Sequence, residues 1–331
     1  MSSYTRRPIG VLAVGLLATG MLLAARALAA EEGHFERTLK VTGPVELDVR
    51  TGSGSIEVRR GEASTVRVSG TIRASERWLD GGEAAERKVR YLESNPPIEQ
   101  HGNIIKIGHL EDHELEQNIS ISYEIVTPVE TRLRSGTGSG SQTIEGIGGP
   151  LEASTGSGSV RIVNIGDTVK ASTGSGNIHI EGAKGSVRAS TGSGSIHATG
   201  IAGGLRASTG SGDVTLEQTA PGDVEVSTGS GSVELRGAHG SVHAQTASGS
   251  ISVEGEGAGS WRLGTASGGV TVRLPAKQGF TLHARTVSGS IHTDREMTVQ
   301  GTLSRHELEG KVGEGGFLLE VSTVSGNIRI E

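Results

Sequence analysis

Lys170, Arg188 and Arg206 recur at intervals of 18 residues, and so do His179 and His197. If the chain coils with that period, each set forms a short column of neighbours about 5 Å apart. Three stacked cations would suit an acidic glycan or lipid headgroups; the bland alternative is a charged face that water solvates. Two neighbouring imidazoles could share a metal ion, but zinc needs three or four ligands and the column offers no third. His109-Leu-Glu-Asp-His113-Glu is denser in ligand types and reads as a solvated acidic loop. The Gly-Ser-Gly units could cradle a phosphate, yet neither a G-x-x-x-x-G-K-[ST] nor a strand–GxGxxG–helix context surrounds them. No unit forms the G-x-S-x-G of a nucleophile elbow. Asp213 is the one carboxylate near these turns, which excludes a repeated Ca²⁺ loop. No Cys is present, so there is neither a disulfide framework nor a Cys-based metal site. The sequence thus names no catalytic residue, metal or cofactor. It offers a candidate interaction stripe made of Lys170, Arg188, Arg206, His179 and His197.

The elements that must position this stripe come from a repeat. T-x-S-G occurs eleven times, from Thr51 to Thr323, and its spacing is 18 residues from Thr137 to Thr209. A fixed period near 20 marks a repeat architecture. Four residues before each Thr stands an aliphatic or aromatic residue, as in Leu151, Val169, Val187 and Trp261; two before it the residue is usually Ala or Val. Alternation resumes after the turn, as in Val160/Ile162 and Ile178/Ile180. Period-2 alternation over a few residues marks a half-buried strand. Each repeat therefore reads as strand, tight turn, strand and a second, looser turn. The invariant Gly implies φ > 0, and the Thr is expected to point inward and satisfy backbone near the bend. Two short strands cannot bury a core alone, so coils must stack. The predicted fold is all-β, a parallel β-solenoid of ~18-residue coils. Its interior is expected to be narrow and to hold Val, Ile, Leu and Ala only, in keeping with 2% aromatic residues.

Around these coils the chain changes character. Arg6 and Arg7 precede an apolar run from Ile9 to Ala25, and Ala27-Leu28-Ala29 offers a cleavage site, so residues 1–29 read as a signal peptide. An uncleaved anchor is the alternative. Without residues 1–29 the chain carries 28 basic and 37 acidic residues, a formal charge of −9 against −6 for the whole sequence. That balance disfavours nucleic acid. Residues 30–132 read as an irregular section with the first repeat and one short helix at 78–93, a cap or an insertion, ended by Pro96-Pro97. Residues 133–331 read as regular repeats with an excursion at 294–316.

Val45–Val58, the Ser-Thr-Gly-Ser-Gly units and the ending Gly313–Ile330 resemble the bacterial adhesin-like β-strand-repeat family, whose members are catalogued as adhesin-like domains of unknown function. The resemblance spans essentially all of the chain after residue 29. It implies an envelope-associated β-solenoid and brings no catalytic residues. The expected function is an exported, non-enzymatic adhesin or envelope interaction protein, in the periplasm or on the surface of a bacterium. Its partner would be a surface, glycan or protein, with membrane contact only through the signal or anchor segment. The alternatives are an envelope-stress accessory protein and, behind it, a polysaccharide-acting enzyme on a β-helix.

Overall fold

The computed structural model describes residues 32–74, 82–110, 115, 118–299 and 304–331. The signal segment, Trp78-Leu79 and His113 lie outside the described residues. Among the described residues there are 27 strands and one α-helix, and the strands join in one hydrogen-bonded sheet system. The fold is all-β and solenoid-like.

In the repeats, alternation becomes geometry. Leu151–Ser157 buries Leu151, Ala153 and Thr155, leaving Glu152 half-buried and Ser154 exposed between them. It pairs in parallel with Val169–Ser175 in the register Leu151↔Val169, Glu152↔Lys170 and Thr155↔Thr173, so each residue stacks on its counterpart one repeat later. The second strands do the same, with Arg161↔His179 and then His179↔His197.

The turn glycine is needed for its close approach to the neighbouring coil in all eleven copies, and for its positive φ as well in eight of them. Gly176 has φ 154°, which L side chains rarely adopt, and a Cβ there would lie 2.1 Å from the carbonyl oxygen of Gly158 in the preceding coil. The Thr points inward, as the alternation requires, but the carbonyl it satisfies is not its own coil's. The Thr191 hydroxyl donates to the carbonyl of Gly176 at 3.0 Å, and Thr209 to Gly194 at 2.8 Å. All eleven copies make such a bond to the coil beneath.

The second turn is more ordered than its sequence suggests. Ile147, Ile165, Ala183, Ile201 and Ala238 form a third buried column there. Each follows a residue in the left-handed region, namely Gly146, Asn164, Gly182, Gly200 and Gly237. Glycine and asparagine carry this conformation at low cost.

The ends depart from a simple parallel stack. At the C-terminal end, Phe317–Ser325 lies between Ile251–Ser267 and Phe280–Ser288, parallel to both. Ile328–Ile330 likewise lies between Val270–Arg273 and Ile291–Thr293. The last repeat of the sequence is therefore inserted between two earlier ones. The 294–316 segment contains Glu307–Val312, which closes antiparallel on Phe280–Ser288, and Met297–Val299, which pairs antiparallel with it. At the N-terminal end, Ile119–Thr127 stacks on Ile56–Arg60, and Thr65–Ala74 and Glu32–Lys40 follow antiparallel. The helix Gly82–Ser94 packs on these two last strands, burying Val89 and Leu92. Its Glu93 carboxylate accepts a hydrogen bond from the backbone N–H of His34 at 2.8 Å. Both ends also admit aromatic residues that a uniformly narrow interior would exclude. Tyr123, Trp261 and Phe280 are fully buried, and Phe317 stands 5.5 Å from Trp261 and 6.1 Å from Phe280 between ring centroids.

Candidate interaction groove

The register fixes which outward side chains are neighbours. Three residues before each Thr, the column reads in space Asp48, Arg134, Glu152, Lys170, Arg188, Arg206, Glu225, His243, Arg262, Glu320 and His283. The predicted cations do stand on three successive coils. They lie along a groove of about 610 Å³ that runs parallel to the stack, within the range of small-ligand sites. The strand backbone at Val169, Val187 and Leu205 forms its floor, because those side chains point into the core. Thr168, Ser186 and Ser241 line it with hydroxyls.

The stripe is less basic than its cations alone suggest. Lys170 Nζ lies 2.5 Å from Glu152 Oε1, and Arg206 pairs with Glu225. Further along, Arg262 Nε lies 2.8 Å from Glu320 Oε2. Arg188 forms no ion pair among the described residues and stands between two cations one coil away on either side. Like charges at this spacing repel by only about 1 kcal/mol in water, and exposed ion pairs contribute about 0–1 kcal/mol. The stack thus stands at little cost, and its uncompensated charge sits at Arg188.

His179 and His197 line no part of this groove. They stack face to face on the second-strand face, with ring centroids 5.0 Å apart and planes 9° from parallel. Partial burial pushes the His179 imidazole below its ordinary pKa; the positive charge of Arg161 and then the His197 ring add to this, while Glu181 pulls it back up. Glu181 Oε2 lies 3.4 Å from Arg161 Nη2 and 3.9 Å from His179 Nε2. Among the described residues no group of three or more His, Cys, Asp or Glu could hold a metal ion. His109 Nε2 lies 3.3 Å from Asp48 Oδ1, which also meets Arg50 Nε at 3.2 Å.

The candidate residues therefore fall into two separate sets on two faces. Sequence reasoning missed the hydroxyl rail of Thr168, Ser186 and Ser241, because those positions fall in the variable second turn. It also overlooked the role of Glu152 and Glu225, although their places at either end of the cation run were visible in the aligned repeats.

A family model described as Toastrack DUF4097 matches residues 37–331. The chain belongs to this family. That agrees with the adhesin-like resemblance of its repeats and ending. No curated protein matches the sequence. Among solved structures, the Toastrack chain is similar to a candidate lipid-binding protein from Parabacteroides distasonis at 14% identity and a TM-score of 0.37, covering 90% of this chain and 97% of that one. It is also similar to a candidate cell adhesion protein from Clostridium sporogenes at 12% identity and a TM-score of 0.20, covering 91% and 99%. A candidate adhesin from Bacteroides fragilis follows at 11% identity and a TM-score of 0.26, covering 90% and 97%. No helix among the described residues of the Toastrack chain is long and apolar enough to cross a membrane.

Proposed function

We propose that this Toastrack protein is an exported, non-enzymatic, adhesin-like interaction protein of the bacterial envelope, and that it engages its partner along the groove beside Lys170, Arg188 and Arg206. One observation carries the reading. Parallel register holds these three cations on successive coils of a backbone-bonded stack, beside a groove of about 610 Å³. A rigid stack presents such a column at little entropic cost, which favours binding. The glycines and threonines of the repeat are absorbed by turns and by bonds between coils, so partner recognition falls to the outward columns. Residues 1–29 would direct export.

The test is binding of the labelled full chain to intact bacterial cells and to isolated envelope material. Saturable binding that Arg188→Glu weakens at least tenfold supports the proposal. Absence of saturable binding, or binding indifferent to Arg188→Glu, overturns it. Fractionation of the native protein tests export, and a cytoplasmic pool alone would contradict it.

A further inference from the structure

Resting on the groove reading above, we infer that the ligand is a linear glycan carrying a single acidic sugar, whose carboxylate sits on Arg188 while neutral sugars run along the groove to either side.

The charge distribution selects one anion over many. From Glu152 to Glu225 the column holds three cations and two carboxylates, and the carboxylates occupy both ends of the run. Glu152 is committed to Lys170 and Glu225 to Arg206. A polymer with an acid on every sugar would place negative groups against Glu152, Glu225 and the groove residue Asp223. It would also approach a chain of formal charge −6. An isolated carboxylate opposite Arg188 stays clear of those three carboxylates and meets the chain's net charge only once. Arg188 suits it further because a guanidinium presents a planar fork of donors that matches a carboxylate bidentately.

The groove's shape and chemistry favour a sugar chain over a lipid. Its lining runs from the coil of Leu151 to the coil of Arg262, which at one coil per ~4.8 Å spans roughly 30 Å. That length exceeds one sugar and accommodates an oligosaccharide. The valine side chains of the floor point into the core, Val169 and Val187 each 2% exposed, so they offer no hydrophobic slot. An acyl chain would gain little there. The hydroxyls of Thr168, Ser186 and Ser241, by contrast, can exchange hydrogen bonds with sugar hydroxyls.

The experiment compares four probes by calorimetry on the full chain: cellotetraose, aldotetraouronic acid (one uronic acid on a neutral xylan trimer), tetragalacturonic acid, and phosphatidylglycerol vesicles. The expected result is tightest binding of aldotetraouronic acid, at least tenfold over the other three. Arg188→Gln should reduce it to the level of cellotetraose. The double variant Glu152→Gln/Glu225→Gln should selectively improve tetragalacturonic acid. All these side chains are exposed, so an unchanged melting curve serves as the folding control. Preference for tetragalacturonic acid or for vesicles, binding of no oligosaccharide, or indifference to Arg188→Gln overturns the inference. If envelope binding still depends on Arg188 while no oligosaccharide binds, the inference falls and the groove reading stands. If envelope binding is indifferent to Arg188, both fall.

Discussion

The middle coils and the two ends of this molecule solve different problems. Between Thr131 and Val253 every coil has an equivalent coil on each side, so one set of interactions serves all of them. Parallel strands stack in register, a Thr hydroxyl bonds the carbonyl beneath, and aliphatic columns fill a narrow core. No Phe, Tyr or Trp lies between Tyr123 and Trp261. At the ends there is no next coil, and open strand edges need cover. There the chain uses antiparallel strands, a helix that places Glu93 on the His34 N–H, and aromatic clusters at Phe35–Tyr123 and Trp261–Phe317–Phe280. At the C-terminal end Arg295 donates to the carbonyls of Leu274, Ala276 and Glu331. The lesson is that repetition gives local interchangeability in the middle, whereas each end is a singular construction.

The largest expected effect comes from removing one element of each kind. Excising residues 169–186 deletes one whole coil and joins Thr168 to Val187, the counterpart of Val169. Nearest-neighbour stability should keep the protein folded, with a Tm drop of about 5 °C or less. Deleting 317–331 instead strips partners from Ile251–Ser267 and Phe280–Ser288 and takes Phe317 from Trp261. Its Tm should fall by more than about 10 °C. Calorimetry of both deletions decides this, and equal losses would remove the distinction between middle and end.

A smaller effect probes the coil contact itself. Gly176→Ala sets a Cβ 2.1 Å from the Gly158 carbonyl in a left-handed backbone and should cost about 3 kcal/mol. Gly52→Ala, where an added Cβ has nothing within 4 Å, should change stability by less than about 0.5 kcal/mol. Denaturant titration of the two variants tests the contrast, and a neutral Gly176→Ala would refute the steric reading.

The smallest effect is on pH dependence. The folded-state pKa of His179 lies below the ordinary imidazole value of 6.5, chiefly through burial. The unfolded chain therefore takes up this proton first as pH falls. The contribution of His179 to stability is present above about 6.5 and is lost below it. His179→Gln should flatten the decline in Tm between pH 7.5 and pH 5. An unchanged slope would place the acid sensitivity elsewhere.

These contrasts match what could be read from the chain. Lys170, Arg188 and Arg206 could be placed on one face because an 18-residue period and strand alternation fix direction and neighbour together. The inward Thr was legible for the same reason. The column of Ile165, Ala183 and Ile201 was not, because one left-handed residue before each breaks the alternation and the turns vary in length. The insertion of Phe317–Ile330 was also hidden. Its residues fit any coil of the stack, and only tertiary pairing chooses which two coils it separates. Arg188 gained its singular position from Glu152 and Glu225, which local pattern treats as two more solvated charges.

The stacking order that sets every outward column can be measured by engineered disulfides, since the native chain has no Cys to compete. Ser325 is in register with Ser267 on one side and Ser288 on the other. Adjacent coils lie about 4.8 Å apart, within disulfide reach, whereas coils two apart, at about 10 Å, lie beyond it. Oxidation of the full chain carrying Ser267→Cys/Ser325→Cys or Ser288→Cys/Ser325→Cys should give the bridge in high yield, and Ser267→Cys/Ser288→Cys should not. Efficient bridging of 267 to 288 with none from 267 to 325 would mean that the coils stack in chain order, contradicting the inserted C-terminal repeat.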